Sequence, residues 1–240
     1  MRFLVKWTKE GNMKYISHLD IMRLFQRALK RTDIKLKYSE GYSPHPKMSI
    51  AQPLSLGYTS LGEYIELETK EDFSTDTIIE RLNSAMPPGV LITRCTELKE
   101  NRKVSALIVA ASYTIGLGKT GVDGSDHAVS ENALVSAVEN FVKKKTIPVE
   151  KLQKKSGKVT EVDIRPMVRS LEYVSEEEDC FLLKTLVDTG SNSNINPELI
   201  TSKLCEYMKV LRENLEAHTR REEMFAESAD GTLIPLYLLK

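Results

Sequence analysis

Residues 2–8, RFLVKWT, alternate in character. Phe3, Val5 and Trp7 fall on one side of an extended chain and Arg2, Leu4 and Lys6 on the other, which predicts a strand. Gly11-Asn12 turns the chain, and Ser17 with Asp20 three residues on predicts a capped helix start. From His18 to about Arg31 the period lengthens. Ile21, Phe25, Ala28 and Leu29 share one helical face, while Arg23, Arg27, Lys30 and Arg31 form a basic stripe on another. Alternation resumes at Ile34-Lys35-Leu36-Lys37-Tyr38, predicting a strand with both lysines on one side. A further strand is predicted over 62–69 (GEYIELET). Ser74 or Thr75 caps a second helix running to Met86, Pro87-Pro88-Gly89 stops it, and 90–97 closes the unit as a strand. The order βαββαβ within residues 1–100 is that of the ferredoxin-like split βαβ arrangement, an antiparallel sheet covered by two helices.

Residues 99–103 (KENRK) form a polar junction, beyond which the pattern partly recurs. Strands are predicted over 111–117 and 180–187, with a last one over 216–227. Helices are predicted over 130–145, capped at Ser130, and from Pro197 to about Leu211. The intervening 147–175 is longer and less regular. The expected fold is α+β, two tandem ferredoxin-like domains over 1–100 and 104–240, the second elaborated. The closing LIPLYLL (233–239) is apolar and carries a proline, which suits an edge strand or a docked tail.

The composition, 41% hydrophobic and 28% charged, is that of an ordinary soluble globular chain. No apolar run approaches the ~20 residues of a membrane helix, and the N-terminus alternates where a signal peptide would carry an apolar block. A cytoplasmic protein with no membrane partner is expected. Cys95, Cys180 and Cys205 are odd in number, far apart and without a CxxC pair, so buried thiols are expected and neither a disulfide framework nor a metal site; no cofactor is expected.

Charge changes the picture. The formal net charge is zero, yet residues 1–50 hold eleven Lys/Arg against four acids, so +7 sits there and −7 in the remainder. Six of the sixteen aromatics also fall in those fifty residues. A basic segment interleaved with aromatics points to nucleic acid. Within it, YSEGYSPHPKM (38–48) sets His45 between Pro44 and Pro46, beside Tyr42 and Lys47. A residue before proline is pushed into extended conformations, so Ser43 and His45 are held stiffly. Such a loop either presents its side chains to a ligand or merely connects two strands. A second lysine-rich stretch, 143–158, reads equally well as a helix end and loop.

Other motifs carry less. Gly116-Leu-Gly118-Lys-Thr-Gly121 matches GxGxxG on paper, but Val122-Asp-Gly-Ser-Asp follows where a helix must open, so a hairpin or surface loop is expected. Arg165-Pro166-Met167 and GSNSNINP (190–197) are expected to be ordered loops, the latter suited to an anion or to asparagine capping. His18 and His45 titrate near neutrality and are acid–base candidates.

Three stretches, YISHLDIMRLFQRALKRTDIKLKYSEGYSPHPKMSIAQPLSLGYTSLGEYIELE, VDIRPMV and TGSNSNINPELI, together resemble the bacterial radical-SAM-linked family. The resemblance implies a radical-SAM enzyme as partner and brings no catalytic residues. The absence of a CxxxCxxC triplet fits a companion of that enzyme. At the level of fold the tandem plan is also similar to RNA-processing proteins of the CRISPR repeat-cleaving type. The function expected is an RNA-binding companion presenting transfer or ribosomal RNA to a radical-SAM modifying enzyme. Arg23, Arg27, Lys30, Arg31, Lys35 and Lys37 would hold phosphates, and Tyr42, His45 and Lys47 would contact the RNA more closely. The alternatives are a metal-independent ribonuclease using His45 or His18 with Lys47, and a protein-only adaptor.

Overall fold

The computed structural model describes residues 1–100, 102–121, 129–152 and 159–239. The chain divides into two compact units, Met1–Ala110 with Arg220–Lys240, and Ala111–Thr219. That division differs from the sequence boundary at 100/104, because the chain's last residues join the first unit.

In the first unit β1 (Arg2–Lys9) leads through a 3-10 turn to α1 (His18–Arg31). Then come β2 (Met48–Ile50), β3 (Thr59–Glu68), α2 (Thr75–Ala85) and β4 (Ile92–Glu97). β1 pairs antiparallel with both β3 (Val5↔Ile65) and β4 (Val5↔Cys95), and β2 lies antiparallel on β3 (Ser49↔Glu66), so the strands run β4-β1-β3-β2. Phe3, Val5, Trp7, Ile65 and Leu67 meet Ile21, Phe25 and Leu29 of α1 and Ile78 and Leu82 of α2 in one core. Trp7 and Phe25 stack edge-to-face with ring centres 5.2 Å apart. Period 2 on β1 and period 3.6 on α1 are thus the two halves of one interface.

The alternation on β1 suggests a single buried face, yet Leu4 and Tyr64 are buried too. The other face is covered by the chain's end. β10 (Leu215–Glu227) contributes its residues 220–227 here, parallel to β3 (Arg220↔Thr59), and β11 (Leu233–Pro235) pairs with it (Ala226↔Ile234). A Cβ at Gly62 would lie 2.6 Å from the Glu222 carbonyl oxygen, so the missing side chain is what lets β10 approach β3. Thr96 Oγ1 donates to the Tyr237 carbonyl at 3.0 Å, and Lys6 and Arg94 both lie over the Tyr237 ring. The apolar LIPLYLL is therefore both an edge strand and a docked tail.

The second unit takes β5 (Ile108–Gly121) from residue 111, then α3 (Glu131–Lys143), the hairpin β6 (Pro148–Leu152) and β7 (Val159–Asp163), β8 (Val168–Glu176), β9 (Cys180–Asp188), α4 (Glu198–Met208) and residues 215–219 of β10. Its strands run β10-β5-β9-β8. Ser130 caps α3 by accepting from the Ala133 N–H, and Arg165 donates to the Val142 and Lys144 carbonyls at the other end. Asn196 Oδ1 accepts the Glu198 N–H, and Glu198 pairs with Arg212. The start of α4 is thus served by its own side chains.

The α+β class holds, with mixed pairing and four α-helices among the described residues. Two local expectations are corrected. Residues 34–38 form no ladder strand. They make only the isolated bridges Leu36↔Thr69 and Tyr38↔Pro46, because the chain changes partner at Lys37, whose N–H donates to the Glu68 carbonyl and whose own carbonyl accepts the Lys47 N–H. Gly116–Gly121 is neither hairpin nor loop but the end of β5, where Gly116 faces Cys180 and Gly118 faces Glu216. Among the described residues no helix is long and apolar enough to cross a membrane.

Candidate nucleic-acid interface

All the candidate residues lie in the first unit. Ser17 caps α1 by accepting the Asp20 N–H and donates its own hydroxyl to Asp20 Oδ2. The bond from the Ser17 hydroxyl, and the one from Arg23 Nη1 at 3.1 Å, hold the Asp20 carboxyl below its ordinary value. Arg23 is therefore partly engaged on its own helix. Arg31 Nη2 donates to the Ala85 carbonyl at 2.5 Å, at the end of α2. Arg27 and Lys30 are exposed and have no ion pair among the described residues.

After α1 the chain enters an arm. The Lys37 N–H donates to the Glu68 carbonyl (2.7 Å), and the Lys47 N–H to the Lys37 carbonyl (2.8 Å). The Glu68 N–H donates to the Lys47 carbonyl (3.0 Å). Ser39 closes the tip. Its N–H donates to the His45 carbonyl, its Oγ accepts the His45 N–H at 3.0 Å, and Oγ lies 2.9 Å from His45 Nδ1. Gly41 takes φ +117° beyond this clamp, and Tyr42 at the tip is fully exposed.

Pro46 separates two open grooves. One, of about 410 Å³, has Leu29, Ile34 and Leu36 as floor, Tyr38 as wall, and Lys30, Lys35 and Lys70 at the rim. Lys35 reaches Glu71 at 3.4 Å between two exposed side chains, which is worth little. Lys30 and Lys70 have no ion pair among the described residues. The other groove, about 440 Å³, brings His45 and Lys47 together with Arg2 and Lys103. Here Arg2 and Lys47 are answered. Lys47 pairs with Glu68 at 3.3 Å, and Arg2 is held by Glu66 and the Glu100 and Arg102 carbonyls.

The structure thus gathers Lys30, Lys35 and Tyr38 at one groove and His45 with Lys47 at the other. Arg23, Arg27, Arg31, Lys37 and Tyr42 line neither. His18 is apart from His45. It borders a small cavity shared with Lys9 and Glu63, a separate place in the unit. Sequence reasoning missed Lys70, Asp33 and Ser39. The serine six residues before the histidine was a usable signal. Lys70 had none, since only the Leu36↔Thr69 bridge brings it to the groove.

Elsewhere, Lys143 pairs with Glu139 and Lys144 lies 4.5 Å over the Tyr207 ring. Lys154, Lys155 and Lys158 of the second basic stretch lie outside the described residues, as do 122–126 after Gly121. All three cysteines are free. Cys205 is buried, Cys95 and Cys180 only half-buried, and burial pushes the Cys95 thiol up to about 12. Among the described residues no group of three or more His, Cys, Asp or Glu is placed to hold a metal ion.

The family model described as "Uncharacterized protein conserved in bacteria (DUF2344)" matches residues 2–197, and the chain belongs to that family. No curated protein matches it. Among solved structures the chain is similar to one in a Cbf5–Nop10–Gar1 complex, at TM-score 0.51 and 12% identity, covering 92% of this chain and 48% of that one. It is less similar to a chain of an archaeal box H/ACA sRNP Nop10–Cbf5 complex, at TM-score 0.44 and 12% identity, over 91% and 46%. The chain thus spans about half the length of these solved chains, and the likeness is one of fold.

Proposed function

We propose that this member of the DUF2344 family binds RNA through α1 and the arm of its first unit. One observation carries the reading: the groove beside Pro46 joins three lysines, two of them without ion pairs among the described residues, to a tyrosine and an apolar floor. Cations neutralise phosphates, and an aromatic ring stacks on an unpaired base; together they are the chemistry of single-stranded RNA recognition. Arg27, Lys30, Lys35 and Lys37 hold the phosphate backbone, with Arg23 and Arg31 contributing less because each already spends a donor within the protein. Tyr42, His45 and Lys47 contact the strand as it crosses the arm. The partner is the radical-SAM enzyme that the sequence resemblance implies, to which transfer or ribosomal RNA is presented. Both units serve as ferredoxin-like scaffolds, a reading supported by their common strand orders, β4-β1-β3-β2 and β10-β5-β9-β8.

The test is binding of bulk cellular RNA in chelator across a salt series, with an Arg27→Glu/Lys30→Glu variant alongside. Losing two single-strand phosphate contacts lowers the log–log salt slope by about 1.4. An unchanged slope and affinity sink the interface. RNA cleavage abolished by His45→Ala would move the assignment to a ribonuclease, and absence of RNA binding with co-purification of a radical-SAM enzyme to a protein adaptor.

A further inference from the structure

The groove of Lys30, Lys35 and Lys70 has a feature that phosphate binding does not use. Asp33 also lines it, the one acid that does. Asp33 follows the C-cap of α1 with φ +56°, a left-handed conformation that aspartate tolerates better than most residues. It makes no ion pair among the described residues, although three lysines share its groove. Beneath lie Leu29, Ile34 and Leu36, all buried, and the half-exposed Tyr38 ring stands at the side. The volume, about 410 Å³, is within the range of small-molecule sites.

An apolar floor with an aromatic wall takes a planar ring, and a lysine rim takes the phosphates joined to it. The carboxylate decides which ring. An ionised carboxylate only accepts hydrogen bonds, through two oxygens. Guanine alone among the four RNA bases offers two adjacent donors on its Watson–Crick edge, N1–H and the exocyclic amine. Uracil offers one, and adenine and cytosine set a ring nitrogen with a lone pair beside their amine, which a carboxylate repels. We propose that this groove is a subsite for an unpaired guanine of RNA, its base on Leu36 and Tyr38, its edge on Asp33 and its flanking phosphates on Lys30 and Lys70. The assignment rests on the RNA-binding reading above and deepens it.

The experiment is equilibrium binding of the full chain to ten-nucleotide oligouridylates carrying one central G, A or C, with all-U as reference and free GMP as competitor. The expected result is tighter binding of the G-containing strand by about tenfold, toward the low end of what a bidentate base contact discriminates because the groove is open. In Asp33→Asn, which keeps the size and the tolerance of positive φ, that preference falls below about twofold while all-U binding rises, because a negative charge leaves the lysine rim. Equal binding of all four strands by the native protein overturns the guanine subsite and leaves RNA binding standing. A preference that survives Asp33→Asn overturns the role of the carboxylate. GMP competing as well as the strand assigns the groove to a free nucleotide and overturns the RNA subsite. No binding of any strand overturns this inference together with its premise. The native comparison decides on base preference even where the variant does not fold.

Discussion

Asp20 shows how one residue sets the character of the basic face. Its carboxylate takes hydrogen bonds from Ser17 and Arg23, and its acidity is raised by them, so the folded value lies below the ordinary 3.8. A carboxylate depressed in the folded state contributes stability that is present above the unfolded value and lost as pH falls through the folded one. Helicity of α1 is therefore expected to drop in a window below 3.8, and Asp20→Asn removes that acid step. The measurement is the Asp20 carboxyl titration by NMR beside the helical signal. The same ion pair is the reason Arg23 is proposed to contribute less than Arg27 to phosphate binding: one of its guanidinium nitrogens is already occupied within the helix.

The arm is the element whose behaviour the prolines alone do not explain. Pro44 and Pro46 restrict their neighbours, but the tip is closed by Ser39, which binds both the amide and the ring of His45. In Ser39→Ala the arm opens locally while the core is untouched, so global stability moves by less than about 0.5 kcal/mol. Exchange of the His45 amide rises roughly fivefold, the worth of one net hydrogen bond of about 1 kcal/mol. RNA affinity falls at an unchanged salt slope, because ordering is lost and no cation is. Hydrogen exchange and the salt series measure the two effects separately, and a changed slope would contradict this account of the arm.

At the scale of the whole molecule the first unit depends on its returning C-terminal segment. Arg221, buried, donates to Glu63 Oε1 at 2.8 Å and to the Gln52 and Pro53 carbonyls, and buried Lys9 donates to the Ile16 carbonyl. Burial raises the Glu63 carboxyl above its ordinary value and lowers the Lys9 ammonium below its own. Removing one partner leaves a charge stranded in the interior. Glu63→Gln, which leaves buried Arg221 and Lys9 with no carboxylate between them, is expected to cost about 3–5 kcal/mol, and Glu63→Gln/Arg221→Met to recover part of it, Lys9 remaining unanswered. Trp7, the single tryptophan, sits in this unit's core, so denaturant unfolding followed by its fluorescence reads this unit. If the double variant is as unstable as the single one, the cost lies in lost packing and not in the stranded charge.

By itself the sequence determined what short-range periodicity can encode. It set the β1 strand and the amphipathic α1, the caps at Ser17, Ser74 and Ser130, and the concentration of positive charge in the first fifty residues. Side-chain direction repeats every two or 3.6 residues, so these features are legible within a few positions of themselves. Only the tertiary structure decided which cations share a groove with an aromatic ring. Lys70 shares a groove with Lys30 because Leu36 bridges Thr69, and β10 comes up to β3 because Gly62 leaves room for it. Local periodicity carries no term for pairings between distant segments. Those are settled by burial and backbone hydrogen bonding across the whole unit, and there the strand expected at 34–38 became part of the floor, wall and rim of a groove.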